Sequence, residues 1–164
     1  MSALVLTPLQ VALLAAVQNR LIPPDGHVPG AGDAGCAERV DGYLVERREW
    51  RTELLAALQA VDVAAARIRE SRSALASAEL EGTGFLNLSA DERDAALTAV
   101  QAEYPRLFAR LLRLTYTAYY TDPGVRSAAG FEADPPQPGG YGTTTFDEAR
   151  LEPVRQRGKL WRDA

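Results

Sequence analysis

Cysteine and histidine are nearly absent from the 164 residues: Cys36 and His27 are the only ones. A single cysteine excludes an intramolecular disulfide and fits a reducing compartment. With one histidine beside it, the chain lacks the four N or S ligands of a structural zinc site. Positive charge is also scarce, with 18 Lys and Arg against 22 Asp and Glu and a net charge of -4. That balance leaves no basic footprint for nucleic acid or an anionic membrane. Long apolar runs are missing as well. The opening MSALVLTPLQVALLAAVQNR has no basic residue ahead of its apolar stretch, which Thr7, Pro8 and Gln10 interrupt. It is neither a secretory leader nor a twin-arginine one, and it falls far short of the roughly 20 residues that span a bilayer. The expectation is a cytoplasmic protein with no membrane span and no nucleic-acid partner.

Helical signals, by contrast, are plentiful. Thr7-Pro8-Leu9-Gln10 is a capping box with proline at the first helical position, and Leu6 and Val11 stand where a hydrophobic staple would. Leu9, Leu13, Val17 and Leu21 then recur four apart, and Pro23-Pro24 ends the helix. After the Pro/Gly-rich loop 23–35, Asp33 is placed to cap a second helix reaching about Glu46, with Val40, Tyr43 and Leu44 on its apolar face. A third helix is expected from about Glu49 to Ser77 on Trp50, Leu54, Leu58, Val61, Ala64, Ala65 and Ile68. Its alanines suggest close packing. EGTGFLNL (81–88) breaks the pattern. Ser89-Ala90-Asp91-Glu92 is a second capping box, opening a helix to about Glu103. Pro105 starts another, carrying Leu107, Phe108, Leu111, Leu112, Leu114 and Thr115, which Asp122-Pro123-Gly124 should stop.

From Gly130 the character changes to a proline-rich stretch without a long helical stripe, and Thr143 to Thr145 are the only strand-like signal. The reading is an all-α fold: a compact bundle of about five helices over residues 1–130, then an irregular Pro/Gly-rich C-terminal arm over 131–164. That arm is expected to pack on the body or on a partner. At this length the chain fits one domain, and a domain of roughly 150 residues buries about 70% of its unfolded surface.

Chemistry-bearing patterns are few. Gly30-Ala31-Gly32-Asp33-Ala34-Gly35 satisfies G-x-G-x-x-G, yet the prolines before it preclude the strand a dinucleotide site requires. A glycine-rich turn into the second helix is the simpler reading. His27 lies in the same loop without an evident orienting partner. Cys36 suits a small packing role, although the adjacent helix start could lower its pKa. Glu46 to Glu49 and Arg67 to Glu70 read as solvated helix faces with local ion pairs. No catalytic, metal or cofactor residues are assigned. The most suggestive feature is aromatic: Tyr116, Tyr119 and Tyr120 share one helix face, and Phe131 and Tyr141 follow. Tyrosine pairs an apolar ring with a hydroxyl that wants a partner, as at interfaces.

Several stretches together resemble the small subunit of membrane-type gluconate 2-dehydrogenases, the gluconate dehydrogenase subunit 3 family. They are LTPLQ (6–10), NRLIPPD (19–25), PGAGDAG (29–35), FLNLSADER (85–93), YYTDP (119–123) and GF…PPQPGGY (130–141). The resemblance implies a non-catalytic accessory subunit. It would bind and stabilise a large FAD-dependent subunit of the glucose–methanol–choline type, which oxidises glucose, gluconate or a glycoside. FAD would then sit in the partner and not in this chain, and a cytochrome subunit is a further partner the resemblance admits. The motif residues Tyr119, Tyr120, Thr121, Asp122 and Pro123, with Pro135, Pro136, Gln137, Pro138, Gly140 and Tyr141, carry over as structural or partner-contact positions. Of these, Tyr119, Tyr120, Asp122, Pro135, Pro136, Gln137, Gly140 and Tyr141 join Tyr116, Phe131 and Trp161 as the candidate interface. Exported relatives carry a twin-arginine leader that this sequence lacks. A cytoplasmic complex with a glycoside 3-dehydrogenase-like partner is favoured, and periplasmic placement would need a partner's signal. Two other classes compete: a stand-alone small enzyme using His27, Cys36 and nearby acids, and a free-standing helical interaction module or homodimer unrelated to a dehydrogenase.

Overall fold

A computed structural model describes residues 5–73, 84–131 and 147–157. Within them lie seven α-helices and two 3-10 turns, and no strand. The chain divides into two units, Met1–Ala133 and Asp134–Ala164.

In the first unit, α1 (Pro8–Leu21) begins at the expected capping box: Thr7 accepts from the Gln10 amide while the Gln10 side chain accepts from the Thr7 amide. Its buried face departs from the fourfold stripe. Leu13, Leu14, Val17 and Gln18 are inside, whereas Leu9 is exposed. A helix repeats every 3.6 residues, so its inward line drifts from Leu9 and takes in the polar Gln18. The Gln18 side-chain amide is buried with neither polar atom hydrogen-bonded.

Helix α2 (Cys36–Glu46) is not capped by Asp33. Its N-cap is Gly35, in the left-handed region at φ 70, with no side-chain cap. Asp33 instead accepts from the Asn19 amide group at 2.9 Å. Asp41, buried in α2, accepts from the backbone amides of Val5 and Leu6 at 3.0 and 2.7 Å. One carboxylate thus ties the segment before α1 to α2 and is satisfied by backbone donors of that segment.

Helix α3 (Arg48–Ser73) is the central element, packed against α4 (Ala90–Glu103) and α5 (Pro105–Tyr120). Leu54, Ala57, Leu58, Val61, Ala64 and Ala65 form its buried stripe. The alanines give the close approach anticipated from the sequence. The end expected near Ser77 lies outside the described residues. Residues Gly84–Asn87 form a 3-10 turn that seats Phe85 in the core. Arg93 of α4 donates to the Phe85 and Leu86 carbonyls at 3.2 and 2.7 Å and lies over the Phe85 ring. The second capping box, Ser89 with Glu92, opens α4 as expected. Arg67 pairs with Glu103 of α4 at 2.7 Å, a bond between helices rather than a local one.

Asp122-Pro123-Gly124 ends α5 but does not end the helical path. Asp122 caps a further helix, α6 (Pro123–Ala128), by accepting from the Val125 amide at 2.7 Å. Proline at a first helical position has no amide to leave unpaired, so the signals that stop one helix start the next.

The described part of the second unit is helical where the sequence suggested irregular chain. A 3-10 turn, Glu148–Leu151, is capped by Asp147 and runs into α7 (Glu152–Gln156). The threonines at 143–145 lie outside the described residues.

Candidate partner interface

The end of α5 is organised by a side chain that the sequence reading did not single out. Arg39, one turn into α2, donates to the Ala34 carbonyl at 2.7 Å and to the Ala118 carbonyl at 3.0 Å, and pairs with the Asp122 carboxylate. It also reaches Cys36 Sγ at 3.6 Å. One planar guanidinium therefore joins the glycine-rich loop, α2, the last turn of α5 and the cap of α6. Its fork of donors suits several acceptors at once. Asp122 divides its oxygens between this pair and the Val125 amide. The local sequence signals a cap at Asp122, but nothing nearby signals a partner 83 positions away.

This arrangement separates the tyrosines. Tyr119 is only 5% exposed, and its hydroxyl donates to the Pro29 carbonyl at 2.8 Å. Burial raises its pKa above the usual phenol value. It fastens α5 to the loop and is not part of the outer aromatic surface. Tyr116 and Tyr120 remain outside, 44% and 53% exposed, with ring centroids 6.0 Å apart. Tyr119 props Tyr120 edge-on at 5.2 Å. Such contacts hold the rings in defined orientations and contribute about 0.5–1.5 kcal/mol each. Phe131 is 61% exposed. Asp122 is engaged internally through Arg39. Pro135, Pro136, Gln137, Gly140, Tyr141 and Trp161 lie outside the described residues.

The glycine-rich loop has a packing role. The Asn19 side-chain oxygen of α1 accepts from the Gly32 amide at 2.8 Å and the Asp33 amide at 3.2 Å. Two amides of the G-x-G-x-x-G stretch are thus taken by α1. A β-carbon at Gly32 would overlap the Ala15 carbonyl, so this position requires glycine for close approach of loop to helix.

The two nucleophile-type residues stand in different surroundings. Cys36 is buried, and burial pushes its thiol pKa up despite the nearby Arg39, the opposite of the lowering that a helix start would cause. His27 is exposed, its backbone amide donating to Asp25 at 2.9 Å. Among the described residues no cluster of three His, Cys, Asp or Glu could hold a metal, and no helix is long and apolar enough to cross a membrane.

Searches for relatives found no match among curated proteins and none among solved structures. A family model described as gluconate 2-dehydrogenase subunit 3 matches residues 8–134, covering α1 through α6 and most of the chain. The resemblance carried by the loop, the second capping box and the YYTDP segment therefore holds, and the chain belongs to the gluconate 2-dehydrogenase subunit 3 family.

Proposed function

We propose that this chain is a non-catalytic accessory subunit that binds and stabilises the large FAD-dependent catalytic subunit of a sugar dehydrogenase. FAD belongs to that partner. The observation that carries the reading is the family match, which names a dehydrogenase subunit and extends over the helical body. The geometry supports it in two ways. Cys36 and Tyr119 serve packing and anchoring, while two tyrosines are held outward at the end of α5. Rigid, exposed aromatic rings suit a protein contact because little side-chain entropy is lost on binding.

The test is co-expression with an FAD-dependent dehydrogenase subunit from the same source, capture through a tag on the small chain, and a visible spectrum. A stoichiometric yellow complex, with soluble flavoprotein lost when the small chain is omitted, is the expected result. A colourless chain eluting alone, beside a flavoprotein fully active without it, would overturn the reading.

A further inference from the structure

A second exposed face lies further back along α5. Arg106, Arg110 and Arg113 recur at four- and three-residue spacing and share one side of the helix. With Glu53 of α3 they line a hollow of about 270 Å³. A neighbouring hollow of about 260 Å³ holds Arg47 and Trp50, with Glu46 at its edge. The Trp50 ring, in the second hollow, lies 4.6 Å from the Arg47 guanidinium carbon and 5.7 Å from that of Arg110, which lines the first. Arg110 is also paired with Glu53. Four guanidinium groups thus stand against two carboxylates, in a chain whose net charge is -4. Arg106 and Arg113 are exposed, and among the described residues neither has a carboxylate partner.

We propose that this Arg–Trp face of α3 and α5 docks an acidic segment of the dehydrogenase subunit, with carboxylates on Arg106 and Arg113 and an apolar side chain against Trp50. The inference rests on the accessory-subunit reading and names the surface and the partner chemistry it uses. Guanidinium groups bind carboxylates through paired donors, and Trp with Arg is the composition of strongly contributing interface residues. A symmetric dimer would not suit the face, because a two-fold axis sets the same patch against itself and brings Arg against Arg.

The experiment measures the affinity of the full chain for the co-expressed flavoprotein, comparing wild type with R106E/R113E and R106K/R113K, and circular dichroism monitors the fold. The expected result is loss of at least about tenfold in affinity for the Glu pair and near-retention for the Lys pair. Wild-type affinity should also fall as salt rises from about 50 to 300 mM, since exposed charges are screened over about 10 Å at 0.1 M. That arm requires no variant, and a salt-independent affinity overturns the proposal. So does a Glu pair that binds as tightly as wild type, or one that changes only the mass of the chain's own assemblies. If wild type captures the flavoprotein but the Glu pair does so equally, this face alone is wrong. If wild type captures none, the accessory reading falls and this inference with it.

Discussion

The Arg39 guanidinium pairs with the Asp122 carboxylate across 83 positions of sequence, and the same guanidinium is held by the Ala34 and Ala118 carbonyls. Both side chains are largely sheltered, at 32% and 20% exposure. Removing Arg39 leaves a half-buried carboxylate without its cation and two carbonyls without a donor. Arg39→Ala should therefore cost about 2–3 kcal/mol, somewhat less than the 3–5 kcal/mol of a fully buried pair. For a chain of this size that is a fall in Tm of roughly 4–12 °C. Asp122→Asn keeps an oxygen for the Val125 amide and should cost less than Asp122→Ala. Equal losses in urea unfolding would contradict the division of labour between the two oxygens.

Two glycines should respond to alanine with opposite sign. At Gly32 a β-carbon overlaps the Ala15 carbonyl and comes within 2.9 Å of Asn19 Cγ. Gly32→Ala must push the loop off α1, at a cost of about 2–3 kcal/mol. Gly42 lies within α2, is exposed, and a β-carbon there meets nothing within 4 Å. Gly42→Ala should stabilise by about 0.5–1 kcal/mol through higher helix propensity and a less flexible unfolded chain. Thermal unfolding of the two variants side by side decides it.

Cys36 should resist thiol reagents in the folded protein. It is buried and its pKa is raised, so both access and thiolate fraction are reduced near neutral pH. Titration with a chromogenic disulfide at pH 8 is expected to give no prompt reaction in buffer and one equivalent in guanidinium chloride. A rapid equivalent in buffer would show that the start of α2 opens readily.

The pH dependence of stability contains two opposing contributions. Burial raises the Asp62 pKa, and its Oδ1 atom is buried without a partner. For a raised folded pKa, the contribution is most favourable below the unfolded value of about 3.9 and is lost as pH rises through the folded value. Asp62 therefore destabilises the fold at pH 7. Asp62→Asn should raise Tm there, with the gain shrinking as pH falls toward 4. Asp94 behaves in reverse: its bond to Arg20 holds its pKa below the usual range, so its contribution is present at neutral pH and lost as pH falls through the folded value. Asp94→Asn should lower Tm slightly at pH 7 and have little effect at low pH, because the pair is exposed. Melting curves from pH 3 to 7 distinguish the two signs.

Much of the architecture was legible because its determinants are short-range. The starts of α1 and α4 are written in four residues each, where a side chain reaches an amide three positions on. The inward stripe of α3 was legible for the same reason, since residues three and four apart share a helix face. Where the structure departs from the local reading, the cause can be named. Asp33 resembles a cap, but Asn19 of another helix engages it and Gly35 takes the capping position. Asp122-Pro123-Gly124 reads as a stop and does end α5, but a proline preceded by a capping residue is also a start, which the reading did not draw.

The sequence by itself determined the all-helical class, the principal helix starts and membership in the subunit family, because capping, periodicity and motif order depend on neighbours along the chain. Only the tertiary structure decided that Tyr119 anchors the loop while Tyr116 and Tyr120 face outward, and that Asp41 holds Val5 and Leu6 ahead of α1. It likewise decided that Arg39 gathers four segments and that Arg110 lies over Trp50. These relationships join residues tens of positions apart, and which distant groups meet is set by how whole helices pack, a property that no short stretch of sequence carries.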